Sequence, residues 1–113
     1  MEKTIKIGEK ELKLRSSLFT IIEYKNNFGT DLFNDVNKVS VSKNDEISGV
    51  IQTLFQIIYV LHKPFEKQSF EEFLSDFDFS ILNDTEALGN ITNVIGELLG
   101  AVKNVPKGTT KTP

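Results

Sequence analysis

With 113 residues, 39% of them hydrophobic and 26% charged, the chain is sized for one globular domain with a core of its own. It has no cysteine, which excludes disulfides and thiolate metal sites, and it has a single histidine, His62. A formal net charge of −3 and a pI near 5.1 argue against nucleic acid as the main partner, because phosphate binding needs a positive field.

The chain opens with alternation. Ile5 and Ile7 flank Lys6, Leu12 and Leu14 flank Lys13, and Gly8-Glu9-Lys10 lies between. Period two around a glycine predicts a β-hairpin over about residues 3–14, with one buried face and its lysines in water. Ser16 and Ser17 can cap a helix over 17–28, where Leu18, Ile21, Ile22, Tyr24, Lys25 and Phe28 follow helical spacing and Gly29 stands at the C-terminal cap position. A short helix over 31–38 follows, with Leu32, Phe33 and Val36 inward. "VSVSKND" then breaks the pattern as a loop.

A third helix is predicted over 44–62. Ile47, Val50, Ile51, Leu54, Phe55, Ile57, Ile58 and Leu61 cover a broad arc, and the rest of the helix is polar but uncharged. That composition suits a central helix contacted on several sides. Pro64 disfavours helical geometry at the residue before it and stops the helix. Ser69-Phe70-Glu71-Glu72 has the form of a capping box and introduces a short helix over 69–77, with Phe70, Phe73, Leu74 and Phe77 on one face. "DFDFS" alternates and is read as a loop. Asn83 or Asp84 caps a last helix over 84–103, whose apolar face is Leu88, Ile91, Val94, Ile95, Leu98, Leu99 and Val102. The fold expected is α+β and mostly helical, one domain over 1–104, with a flexible tail over 105–113. The uncharged stretch Ile47–Leu61 is too short to span a bilayer, and no secretory leader is apparent.

Chemistry is harder to find. His62 has no ligand spacing around it and reads as a cap on the last carbonyls of its own helix. Glu71, Glu72, Asp76 and Asp78 lack the alternating oxygens and glycine turn of a calcium loop, and read as a solvated acidic face. No phosphate loop, dinucleotide fingerprint, nucleophile elbow or zinc-protease motif occurs. No catalytic residue, cofactor or metal is nominated.

Two features point to protein binding. Five phenylalanines, Phe65, Phe70, Phe73, Phe77 and Phe79, crowd into 15 residues, enough for one or two to stay exposed and anchor a partner. Gly89, Gly96 and Gly100 fall in one stripe of the last helix, each at a cost of about 0.8–1.0 kcal/mol relative to alanine. Such a stripe is tolerated on a plain surface, or lets another backbone approach, or keeps the helix loose until a partner orders it. The candidate partner-binding residues are Phe73, Phe77, Ile95, Leu98 and Leu99, with Gly96 and Gly100.

The segment "TIKIGEKELKLRSSLFTIIEYKNNFGTDLFNDV" resembles the N-terminal part of tail assembly chaperones from long-tailed phages of Gram-positive bacteria. The resemblance lies in Ile5, Ile7, Leu12, Leu14, Phe19, Ile22, Glu23, Tyr24, Phe28, Gly29, Leu32, Phe33 and Val36, and covers about the first 40 residues. It implies a non-enzymatic protein of the bacterial host cytoplasm. Such a protein binds the tape measure protein, keeps it soluble and helps recruit tail tube subunits. It is absent from the finished virion. Members of that family often have a longer, frameshifted form, with which the tail "VPKGTTKTP" is compatible. Repeated docking along one client would also favour several copies, in a homo-oligomer. Two other expectations stand beside this one: another head–tail or tail structural component of a phage, and a small regulatory or antitoxin-like binding module.

Overall fold

The computed structural model of the protein describes residues 1–40 and 47–104, with the backbone alone at 40, 47–50 and 100–104. The expected tail, most of the expected loop before the third helix and the start of that helix ahead of Ile47 lie outside the described residues. Within them the fold is α+β and mostly helical: a two-stranded antiparallel hairpin followed by five α-helices.

Strands β1 (Glu2–Ile7) and β2 (Lys10–Arg15) pair with Ile5 opposite Leu12 and Ile7 opposite Lys10. The turn is therefore Gly8-Glu9, and Gly8 takes φ +63°, a conformation that an L side chain resists. The alternation then does its work. Ile5, Ile7, Leu12 and Leu14 are all nearly inaccessible, while Glu2, Thr4, Lys6, Glu11, Lys13 and Arg15 face water.

Helix α1 (Leu18–Phe28) begins at Ser17, whose N–H donates to Thr20 Oγ1 at 3.0 Å. It stops at Gly29, which takes φ +76° and donates its N–H to the Lys25 carbonyl. The structure corrects the face expected for α1. Thr20 and Tyr24 are buried and Ile21 and Phe28 half-buried, whereas Leu18, Ile22 and Lys25 are exposed. The physical reason is a polar node. Tyr24 Oη donates to the carboxylate of buried Asp35 at 2.7 Å, and Thr30 Oγ1 donates to the same oxygen at 2.7 Å. Burying that carboxylate demands its donors on the inner side, which turns the Leu18 side of α1 outward.

Helix α2 (Leu32–Ser40) buries Leu32, Val36 and Val39. Helix α3 (Ile47–His62) is the central rod: Leu54, Phe55 and every residue from Ile57 to His62 are buried. It touches α1, α2, β2 and the short helix α4 (Phe70–Leu74), which explains its lack of charge. A 3-10 helix follows at Phe79–Asn83, then α5 (Thr85–Asn104). Asp84 caps α5, accepting from the Ala87 N–H at 3.1 Å. Leu88, Ile91, Ile95, Leu98 and Leu99 of α5 are buried, and the helix packs on β1, α2 and the 3-10 helix. Ser16 Oγ ties the end of β2 to α5 by donating to the Leu98 carbonyl at 2.9 Å. One apolar cluster thus joins the hairpin and the helices. Among the described residues no helix is long and apolar enough to cross a membrane.

His62 does not cap its own helix. Its Nδ1–H donates to the Lys13 carbonyl of β2 at 2.8 Å, and its Nε2 lies 3.4 Å from the Glu66 carboxylate. The ring is buried, set over Phe65 and Phe73, and pins the end of α3 to the hairpin.

Candidate functional site: an apolar groove with an acidic lip

The Phe-rich segment folds back on the central helix. Ser69 starts α4 through a reciprocal box: Ser69 Oγ accepts from the Glu72 N–H, and Glu72 Oε1 accepts from the Ser69 N–H. After only five helical residues Ser75 ends the helix, its hydroxyl donating to the Glu72 carbonyl. Asp78 is extended, and the backbone then tightens into the 3-10 helix, with the Ile81 N–H donating to the Asp78 carbonyl. The short helix, the break and the tight turn place the five aromatics at different depths.

Phe73 is inaccessible to solvent, with ring centroids 5.1–6.3 Å from Phe55, Tyr59, His62 and Phe77. Phe77 is half-buried, edge-on to Phe55 and Phe73. Phe70 sits edge-on to Phe28 and Tyr59. Phe65 lies beneath the Arg15 guanidinium, 5.2 Å from its centroid. Phe65 keeps 36% of its surface exposed, and Phe79 stands furthest into water, 85% exposed.

Around these rings runs a groove of about 360 Å³. Ile51, Gln52 and Phe55 of α3 form one side, and Phe70 and Leu74 of α4 the other; Phe77 lies between. Phe79, Ile81 and Leu82 close its end, with Asp78 at the lip. On the other side of Phe77 and Ile81 a cleft of about 430 Å³ opens under the hairpin turn, walled by Glu9, Lys10, Asp76 and Asp84. Lys10 bonds Asp76 at 3.0 Å, leaving Asp78, Glu71 and Glu72 to set the sign of the surroundings. Residues 66–86 carry seven acids and one lysine. The site is thus an apolar trough inside a negative field, suited to apolar side chains of a partner with basic neighbours.

The candidate residues read from sequence divide accordingly. Phe77 belongs to the groove. Phe73, Ile95, Leu98 and Leu99 do not reach any surface: they are at most 6% exposed. This corrects the expectation that they are free to meet a partner. The reason for the α5 residues is the hairpin, whose apolar face needs a cover that α3 and α5 supply together. At Gly89 and Gly96 an added Cβ would meet nothing within 4 Å among the described residues, so none of their backbone approaches there. Gly100 lies in α5, and its surroundings are outside the described residues.

A second exposed surface was not legible as such. On the N-terminal half of α1, Leu18 is 80% exposed, Phe19 60% and Ile22 57%. Helical spacing joins them into one ridge, but spacing alone does not say which of two apolar arcs faces in. The one available signal was the need of a buried carboxylate for Tyr24. Among the described residues no group of three His, Asp or Glu side chains is arranged to hold a metal. No known family, curated protein or solved structure matches the chain.

Proposed function

We propose that this protein is a binding module that shelters an apolar, helix-forming segment of a longer protein, and that it does so as a phage tail assembly chaperone with the tape measure protein as client. The observation that carries the binding role is Phe79, a large aromatic held in water at the mouth of an apolar groove. Exposed aromatics at the end of a groove are anchors for helix-in-groove recognition. The acidic lip adds a preference for clients with lysine or arginine beside their apolar face. The choice of client rests on the resemblance of residues 4–36 to tail assembly chaperones. It places the protein in the host cytoplasm during assembly and outside the finished particle, where it also helps bring tail tube subunits to the client. No catalytic step is assigned to it.

Co-expression with the tape measure protein of the same gene cluster tests this. The client is expected in the soluble fraction with the wild-type chain, and in the pellet without it or with Phe79→Ala. Client solubility that is indifferent to this chain would overturn the proposal.

A further inference from the structure

The hairpin has two long edges, and its register decides what each one offers. The Ser16 N–H donates to the Met1 carbonyl at 2.9 Å, and the Met1 nitrogen donates back to the Ser16 carbonyl at 3.3 Å. In an antiparallel ladder such reciprocal pairs alternate with pairs that share no hydrogen bond. The bonded pairs are therefore Lys3 with Leu14, Ile5 with Leu12 and Ile7 with Lys10. The even-numbered residues of β1 turn their N–H and C=O groups away from β2. By the same parity Glu11, Lys13 and Arg15 aim theirs out of the far side of β2.

The two edges meet different fates. On β2 the Lys13 carbonyl accepts from His62 Nδ1–H at 2.8 Å, and α3 packs against that strand. On β1 the backbone groups of Glu2, Thr4 and Lys6 have no hydrogen-bond partner among the described residues, and all three residues are exposed. A regular strand with an unpaired edge is a template for another strand. A helix cannot use it, because its own N–H and C=O groups already pair with each other. The occupant has to be extended, which separates this edge from the groove and its helical client.

Charge narrows the choice. Residues 1–15 carry five Lys or Arg against three Glu, in a chain whose net charge is −3. On the exposed face of the hairpin Arg15 is bonded to Glu2 at 2.7 Å, whereas Lys6 and Lys13 are in no ion pair among the described residues. Lys13 stands directly across from Thr4, whose side chain is too short to screen it from a strand laid on the other side. Residues paired with Thr4 and Lys6 would point their side chains to that same face, where acids meet both lysines.

We propose that the free edge of β1 takes an extended, acidic segment of another protein as a third strand of the sheet. The segment's residues opposite Thr4 and Lys6 exchange main-chain hydrogen bonds with them and carry the acids. The residue between those two points its N–H away from this chain. The site is independent of the groove, and it adds main-chain recognition to a module whose other surface reads side chains.

The probe is a capped pentapeptide, Val-Glu-Val-Glu-Val, titrated at neutral pH into isotope-labelled protein and followed by NMR. The amides of Glu2, Thr4 and Lys6 should shift, and hydrogen exchange at Thr4 and Lys6 should slow. Methylating the two glutamate nitrogens should abolish binding, while methylating the central valine nitrogen should change affinity by no more than about twofold, because only the glutamates face the edge. Replacing both glutamates with lysine should weaken binding roughly tenfold. On the protein side, Thr4→Pro removes an outward N–H and no bond of the hairpin, so circular dichroism should be unchanged and peptide binding lost. The methylated peptides make the same test on the unaltered chain, whether or not that variant folds. Binding that ignores which nitrogen is methylated, a lysine peptide that binds as tightly, or shifts confined to other elements would each overturn the proposal. So would Thr4 and Lys6 amides already protected without peptide in a protein that sediments as a dimer, because a second copy would then cover the edge.

Discussion

Phe73 and Phe79 are six positions apart in one aromatic run, and truncating each to alanine should have opposite effects. Phe73 has no solvent exposure and touches four other rings. Its removal leaves a cavity and costs about 3–5 kcal/mol. For a chain of this length, 1 kcal/mol corresponds to roughly 4 °C in Tm, so the melting point should fall by ~12–20 °C. Against a stability of about 5–15 kcal/mol this is enough to unfold part of the population at 37 °C. Phe79 is 85% exposed and loses almost nothing in the folded monomer, so its alanine variant should stay within about 0.5 kcal/mol of wild type. What Phe79 loses is the burial it would gain in a complex, about 1.5–3 kcal/mol, or a ten- to 150-fold weaker affinity. Thermal melts by circular dichroism and titration of a client segment read the two effects separately. A Phe79→Ala chain that melts more than ~4 °C low would mean that this ring is packed rather than presented, and the groove would lose its anchor. A neutral Phe73→Ala would refute the aromatic core.

Tyr24→Phe deletes one donor to the buried Asp35 carboxylate and should cost about 1.5–3 kcal/mol in urea denaturation, and much less once Asp35→Asn is present. Burial, and then the Asp35 carboxylate, push the Tyr24 hydroxyl above its ordinary range, so this donor persists through neutral and mildly alkaline pH. Gly89→Ala and Gly96→Ala meet no atom of the described residues within 4 Å and should each stabilise α5 by about 0.5–1 kcal/mol, a rise of ~2–4 °C in Tm. A simultaneous drop in client binding would put the glycine stripe in the interface. Lys63, hydrogen-bonded to Glu23, holds that carboxyl below its usual 4.5. The pair's contribution is thus complete above pH 4.5 and fades as pH falls through the lowered folded value. Urea midpoints of wild type and Glu23→Gln should differ at pH 7 and converge as the pH falls below the lowered folded value. At the alkaline end, Lys63 is raised above 10.5 by the same hydrogen bond, so its contribution is full below that value and declines as pH climbs through the raised one.

The elements were legible where local chemistry decides them. Gly8 and Gly29 take the positive φ that their places between two strands and after a helix require. Ser69 with Glu72, and Asp84, cap the helices that their spacing announces. Facing was legible only where one apolar arc exists. The hairpin has one, and all four of its inward residues are buried. Helix α1 has two, and the choice between them depends on Asp35, a residue on another helix that no local pattern connects to Tyr24. The site suffered the same limit. A cluster of five phenylalanines is plain in the sequence, but which ring is left outside follows from where α4 stops and the 3-10 helix begins. Those breaks are set by a serine hydroxyl and one extended aspartate. Ile95, Leu98 and Leu99 were open to either role until the position of α5 over β1 was known.

The bond between Ser16 and Leu98 spans 82 residues, and β1 lies against α5. During synthesis, the first strands to leave the ribosome must therefore wait for the last helix before their greasy side is sealed. A nascent chain halted before residue 85 would display Ile5, Ile7, Leu12 and Leu14 without their second cover, at the very stage when unsealed surface invites misassembly. Shortening the chain from its far end thus strikes first at its beginning.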